Sequence, residues 1–153
     1  MMNSFSGAAP TSTCSSISRR ALSTAVEIDE LQRASSSGEK SPAVEKLAFL
    51  GAKLLQFRQH TDILQECLST ASVISAQLQE IVARALKQCD AASVVLEKEV
   101  KRLHPQTLGR VHVDSLDVFE DLLVAYSRVF IFATQLLTGS VISLPHQVCA
   151  IKF

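Results

Sequence analysis

Aromatic residues are scarce in this chain of 153 residues, which has no Trp, one Tyr and seven Phe. Its core must therefore be mainly aliphatic, built from Leu, Val, Ile and Ala. Only five Gly and four Pro are present, so few residues are available for tight turns or helix breaks. The apolar fraction of 47% and the charged fraction of 20% are those of a globular protein. One domain is expected for this length.

Neither sign of charge is in excess, since 15 Lys and Arg face 15 Asp and Glu. A chain without a basic excess is not equipped to neutralise many phosphates, so we expect no nucleic-acid binding. The four Cys are widely spaced and form no CxxC pair, which is typical of a protein from a reducing compartment. We therefore expect a cytoplasmic location, with mitochondrial or nuclear locations as alternatives.

Sequence motifs that carry chemistry are missing. The chain has no nucleophile elbow, no glycine-rich phosphate loop, no dinucleotide fingerprint and no zinc-finger spacing. The acidic residues Asp117, Glu120 and Asp121 lie where a helix is predicted to start, and a helix N-terminus favours negative charge. We predict a protein that is not an enzyme, with no catalytic residue, cofactor or metal.

Residues 1–40 are predicted to be a disordered or weakly helical tail. Residues 1–26 contain seven Ser and no acidic group, and a short helix is expected only over Ala21–Arg33. The adjacent Arg19 and Arg20 leave an alternative open, which is a mitochondrial presequence that is cleaved from the mature protein.

Residues 41–139 are predicted to form a helical bundle. Ser41 followed by Pro42 is a good helix start, because Ser caps the helix and Pro suits its first position. From Leu47 to Leu103, alternating steps of three and four residues meet an apolar residue at fourteen of seventeen positions. This spacing keeps one helix face apolar. Further apolar residues widen that face, which favours a bundle over a two-stranded coiled coil.

A single helix over this stretch would be roughly 90 Å long, too long for a small globular protein. We therefore predict a break at Gln59–Asp62, where Thr61 or Asp62 would cap a second helix. With the remaining elements, the fold is expected to be an all-α bundle of about three to five helices with a disordered N-terminal segment.

A last helix is predicted over Val118–Leu137. Asp117 and Glu120 would form its capping box, and Gly139 would end it. Its stretch Leu122–Leu137 is apolar almost all round but is too short to span a membrane. We interpret it as a central helix packed by the others, with a partner-facing or membrane-associating role as the alternative. Residues 140–153 are an apolar extension, either packed on the bundle or the divergent end of an alternative transcript.

The run Ala85–Val100 contains Cys89-Asp90 and ends in Leu96-Glu97-Lys98-Glu99-Val100. It resembles a helix of the helical N-terminal domains of fungal STAND (NOD-like receptor) and ankyrin-repeat proteins, and the similarity extends over Val44–Leu137. The resemblance implies a signalling or oligomerisation bundle of the kind that precedes a nucleotide-binding module, although this chain contains no such module. The heptad pattern also resembles that of small subunits of organelle-tethering complexes.

From these patterns we predict a non-enzymatic intracellular helical module for protein–protein interaction or oligomerisation, in regulation or signalling. Its partner would be another protein or a second copy, bound through helix packing. The candidate interaction residues are Leu64, Leu68, Arg128, Phe130 and Phe132. Alternative hypotheses are a helical fragment of a fungal transcription regulator or receptor, a mitochondrial accessory subunit, and a small enzyme or ligand carrier that uses the bundle interior.

Overall fold

The computed structural model describes residues 8–35, 42–71, 74–105, 108 and 113–139, and these residues are helical apart from short connections. The four α-helices are α1 (Ala8–Ala34), α2 (Pro42–Thr70), α3 (Ala76–Lys101) and α4 (Val113–Thr138). The predicted all-α bundle is therefore confirmed. None of the described helices is long and apolar enough to cross a membrane.

The helices pack as the four corners of a bundle, in which α1 contacts α2 and α3, and α4 also contacts α2 and α3. Helix α1 runs antiparallel to α2, because Ser18 of α1 donates a hydrogen bond to Asp62 late in α2. Helix α4 runs parallel to α2, because Lys46 contacts Asp117 and Phe57 contacts Phe130. Helices α2 and α3 thus occupy opposite corners, and their short connection crosses the diagonal.

Helix α2 carries the predicted apolar stripe into the core. All seven stripe positions of this helix are buried, which confirms the predicted face. They are Leu47, Leu50, Leu54, Phe57, Thr61, Leu64 and Leu68. The start of the helix also agrees with the prediction, since Pro42 is its first residue; the proposed cap Ser41 lies outside the described residues.

The predicted break at Gln59–Asp62 is wrong, because α2 continues through it to Thr70. Thr61 is fully buried and donates its hydroxyl hydrogen bond to the carbonyl oxygen of Phe57, 2.8 Å away. This bond within the helix satisfies the polar side chain without a break. Asp62 does not cap a helix but accepts the hydrogen bond from Ser18 at 2.6 Å.

The chain leaves the helix further on, between Thr70 and Ala76. Ser75 has extended backbone angles, and its side chain accepts a hydrogen bond from the backbone N–H of Leu78 at 3.1 Å. This is the geometry of an N-terminal cap. The break therefore lies between Thr70 and Ala76, and the described part of the region 41–104 forms the two helices α2 and α3.

The prediction of a disordered or weakly helical tail over residues 1–40 is wrong for residues 8–34, which form the 27-residue helix α1. Its inward face is fully or almost fully buried and contributes to the same core as the other helices. The buried residues of this face are Cys14, Ile17, Ser18, Ala21, Thr24, Ala25 and Ile28. Most of these side chains are small, and they let α1 pack closely on its neighbours even though the face is only weakly apolar.

The last helix begins at Val113, five residues before the predicted start at Val118. Asp117 and Glu120 are therefore not a capping box. Their carboxylates lie 2.6 Å and 3.6 Å from Nζ of Lys46 on α2, and the hydrogen bond that Lys46 donates to Asp117 raises the pKa of this lysine. The predicted end is confirmed, since Gly139 follows the helix with φ of +74°, a conformation that glycine adopts without strain.

Candidate interaction surface

Helix α4 carries two apolar stripes rather than one. The inner stripe faces the core, at steps of three and four residues. It consists of Leu116, Phe119, Leu123, Tyr126, Phe130, Ala133 and Leu137. The rings of Phe57 and Phe130 stack at the centre of this contact, with centroids 5.6 Å apart. This stripe accounts for the packing of α4 on the bundle.

The outer stripe has the same spacing but is shifted around the helix and faces away from the core. Its members are Val118, Leu122, Ala125, Val129, Phe132 and Leu136. Four of them are large side chains with more than a third of their surface exposed, and Phe132 is 57% exposed. Since 3-4 spacing places residues on one helix face, these side chains form one apolar strip. The bundle leaves most of it uncovered, although Leu122 is partly buried and also borders the internal cavity.

The outer stripe lies on the side of α4 that faces α3. Leu136 and Leu137 line an open pocket of about 400 Å³ together with Ile74, Leu78 and Ile81 from the start of α3. On the opposite side of α4, Asp117 and Glu120 face α2 through Lys46. The outer stripe therefore borders the junction of α3 and α4.

The junction of α3 and α4 is the least extensive of the four helix contacts. Its open pocket is lined mainly by apolar side chains, together with Ser75 and Gln77. Ile81 lines this pocket, and Val95 lies two heptads further along the same face of α3; each is about half exposed. We call this surface the α3–α4 groove. It is defined by Ile81 and Val95 on α3 and by Val118, Val129, Phe132 and Leu136 on α4. None of these side chains carries a charge.

Three of the five residues predicted to mediate interactions are unavailable to a partner in this fold. Leu64 is fully buried, and Leu68 and Phe130 are at most 6% exposed. They lie in the core because the apolar stripe of α2 and the inner stripe of α4 pack within one chain. The predicted interaction role is therefore wrong for these three residues, which are core residues.

The other two predicted residues are at the surface. Phe132 lies in the α3–α4 groove and is 57% exposed. Arg128 is exposed one turn earlier on α4 and lines a shallow pocket of about 120 Å³ with Lys53 and His60 of α2. Helix α4 is thus not the central helix that its composition predicts. It is a corner helix with one packed and one exposed apolar side.

The interior of the bundle has little room for a ligand. One internal cavity touches all four helices and has a volume of about 20 Å³, bordered by Leu54, Cys89 and Tyr126 among others. This is about the space of one water molecule. The hypothesis of a ligand carrier therefore stays a prediction, and we take the α3–α4 groove as the candidate site.

The partly buried polar groups near this cavity bind one another. Nη1 of Arg20 on α1 lies 2.6 Å from Oδ1 of Asp90 and donates a second hydrogen bond to Oγ of Ser93, 3.1 Å away. Nε of Arg20 lies 3.6 Å from Oε1 of Glu97. These contacts link α1 to α3, so we assign them to fold stability.

Reactive side chains are not clustered in the described part of the chain. No group of three or more His, Cys, Asp and Glu residues there could hold a metal ion. Cys14, Cys67 and Cys89 are free thiols. Burial raises the pKa of Cys14 to about 12 and also raises that of Cys89, so both thiols stay protonated at neutral pH and are poor nucleophiles.

The groove residues on α3 and most of those on α4 are not among the residues predicted from the sequence. The signal was present, because Leu122–Leu137 is apolar around more of its circumference than one packed face requires. Two interleaved 3-4 series in one helix indicate either a central helix or a helix with an uncovered face. The position of α4 at a corner of the bundle decides between these options.

Comparison of the chain with known protein families, with curated proteins and with solved structures finds no significant match in any of the three.

Proposed function

We propose that this protein is a non-enzymatic helical interaction module that binds a partner helix in the α3–α4 groove. The observation that carries the proposal is the uncovered outer stripe of α4, which follows heptad spacing from Val118 to Leu136. Apolar residues scattered singly over a surface are ordinary, whereas contiguous exposed apolar surface is a feature of interaction sites.

The chemistry of the groove favours an amphipathic helix as the partner. Apolar side chains at 3-4 spacing accept the side chains of a second helix between them. In the helix-in-groove mode, an amphipathic peptide inserts its i, i+3, i+4 and i+7 side chains into such an apolar groove. Because the groove itself carries no charged side chain, the inserted face of the partner should be apolar, with its polar face turned to solvent.

The free thiols and the packing of α1 in the core are relevant to the cellular compartment of the module. Three unpaired Cys, two of them buried, are consistent with a reducing compartment such as the cytoplasm. Cleavage of a presequence near Arg20 would remove Cys14 and Ile17 from the core. We therefore propose that the working module retains α1 and acts in the cytoplasm, in regulation or signalling as the resemblance to fungal STAND domains implies.

The test is site-specific photo-crosslinking in cells. A photoreactive phenylalanine analogue replaces Phe132 in the groove or, as a matched control, Phe49 on α2, which is 61% exposed and lies outside the groove. Since the two positions have the same side chain and similar exposure, a partner that binds the groove should give a discrete adduct only at position 132. Adducts at neither position, or equal adducts at both, would contradict the proposal.

A second measurement distinguishes a foreign partner from a second copy. Size-exclusion chromatography with light scattering, at protein concentrations from micromolar to millimolar, reports self-association. If the partner is a second copy, Phe132→Asp should shift the dimer towards monomer, whereas Phe49→Asp should leave the distribution unchanged. If the protein stays monomeric, the adduct at position 132 must contain another protein.

A further inference from the structure

We propose that the α3–α4 groove also has an internal occupant, the segment 140–153 of this same chain, which a partner must displace. This inference rests on the proposed function of the groove and adds its regulation. It follows from three observations: the composition of the segment, the point at which it leaves α4, and the length of the groove.

The composition of the segment requires an apolar surface. Eight of its fourteen residues are Val, Ile, Leu, Cys, Ala or Phe, and Lys152 is the only charged residue. Exposure of these apolar side chains to water is unfavourable, at about 25 cal/mol for each Å² of their surface. The α3–α4 groove has the matching chemistry, since its large side chains are exposed and uncharged.

The segment starts beside the groove. Gly139 follows α4 with φ of +74°, a conformation that turns the chain away from the helix axis. The preceding residues Leu136 and Leu137 line the open pocket of about 400 Å³ between the end of α4 and the start of α3. The first apolar residues of the segment, Val141 and Ile142, are therefore tethered within a few residues of this pocket.

The length of the segment suits the groove. From Leu136 back to Val118 the groove measures about 27 Å at the helical rise of 1.5 Å per residue. Fourteen residues can extend over about 46 Å, so the segment can cover the whole groove. Pro145 has no N–H to donate and disfavours a helix interior, which suits a segment lying extended along the groove. The tether gives the segment an effective concentration of about millimolar, so even weak contacts are occupied.

The experiment is amide hydrogen exchange of the full chain, read out by mass spectrometry on peptides from residues 140–153. In the wild-type protein, docking should slow exchange of this segment by about tenfold or more relative to an unstructured peptide. Phe132→Asp in the groove should return exchange to the unstructured rate, whereas Phe49→Asp on α2 should not.

A second pair of variants tests the segment itself. Ile142→Asp combined with Leu144→Asp places two charges on one side of an extended segment and should release it, because a charge is costly on an apolar surface. Ser143→Asp adds a charge on the opposite side of the segment and should retain at least part of the protection. Circular dichroism on each variant checks that the helical bundle is intact.

The inference is overturned if residues 140–153 of the wild-type protein exchange at the unstructured rate, or if their protection is the same in Phe132→Asp and Phe49→Asp. Its failure differs from a failure of the proposed function. A free segment with an adduct at position 132 leaves the interaction module standing. The converse result is a segment that is docked in the wild-type protein, with no adduct at position 132 even after Ile142→Asp and Leu144→Asp release it. That result supports the inference and rejects the module.

Discussion

The rings of Phe57 and Phe130 stack with their planes at 29° to one another, and both side chains are 1% exposed. The ring of Tyr126 lies 6.4 Å from that of Phe130. In a chain with so few aromatic residues, this cluster is the main anchor between α2 and α4. It holds α4 by its inner stripe and leaves the outer stripe exposed.

Replacement of Phe130 by alanine should therefore destabilise the protein by about 3–5 kcal/mol, since it leaves a cavity in a packed core. Phe132→Ala, two residues further along the same helix, should change stability by less than about 1 kcal/mol because this side chain is largely exposed. Urea unfolding followed by circular dichroism measures both free energies. Equal losses in the two variants would show that the two faces of α4 are not distinct.

The second prediction concerns the polar link between α1 and α3. Arg20→Met keeps much of the side-chain volume but leaves Asp90 without its closest ion-pair partner, 2.6 Å away. Because these groups are only partly buried, with 22% and 37% of their side chains exposed, we expect a loss of about 1–3 kcal/mol. A double-mutant cycle with Asp90→Asn gives the coupling energy. A coupling near zero would assign the loss to the other contacts of Arg20, which are those with Ser93 and Glu97 and the packing of its stem.

The core face of α2 was predictable from the sequence because its stripe is made of large apolar residues, from Leu47 to Leu68, at regular spacing. Helix α1 was not, since its buried face uses Cys, Ser, Thr and Ala alongside Ile17 and Ile28. Small side chains give weak hydrophobic periodicity, although they pack well between larger neighbours. The burial of α1 therefore depends on tertiary contacts that its own sequence does not reveal.

The candidate site was predictable only in part for a related reason. Heptad spacing locates apolar faces but does not say which of them the same chain covers. Leu64 and Phe130 met the same criteria as Phe132, yet only Phe132 is exposed. Likewise, Thr61 looked like a cap, but its hydroxyl binds the carbonyl of Phe57 within the helix. The exposure of each apolar face and the burial of Thr61 both depend on the neighbouring helices.

Gly51 in the middle of α2 offers a test of the close approach between α1 and α2. A Cβ atom at this position would lie 3.4 Å from Cγ2 of Ile28, at the edge of ordinary van der Waals contact. Since glycine costs up to about 1 kcal/mol relative to alanine in a helix interior, Gly51→Ala should stabilise the protein by about 0.5–1 kcal/mol. Gly51→Leu should destabilise it by about 1–3 kcal/mol through overpacking.

Thermal and urea unfolding of the two Gly51 variants check this prediction. Stabilisation by leucine as well as alanine would mean that the space beside Ile28 is larger than the structure indicates. Destabilisation by alanine would mean that α1 cannot shift by the small amount that a methyl group needs.

The thiols should differ in reactivity according to their burial. Cys14 and Cys89 are buried, with their pKa values raised by desolvation, whereas Cys67 is partly exposed. Since the thiolate is the attacking species, Cys67 should react with iodoacetamide at pH 8 well before the other two. Peptide mapping of a Cys149→Ser variant, which removes the thiol of the C-terminal segment, measures the three rates. Similar rates would indicate that the bundle opens readily.

The buried thiol of Cys14 should also make stability depend on pH in the alkaline range. Burial raises its pKa in the folded protein to about 12, compared with 9.0 for a solvent-exposed thiol, so the native state keeps a proton that the unfolded state loses. This contribution is fully present below about pH 9 and is lost as pH rises towards 12, at up to about 1.4 kcal/mol per pH unit for one proton. Urea unfolding at several pH values should give a shallower decline for Cys14→Ala than for the wild-type protein. Lys46, Cys67, Cys89 and Tyr126 also have raised pKa values. They titrate in both proteins, since the shift of Cys89 comes first from its own burial and only in smaller part from Cys14. Identical slopes would therefore show that Cys14 does not titrate differently in the two states.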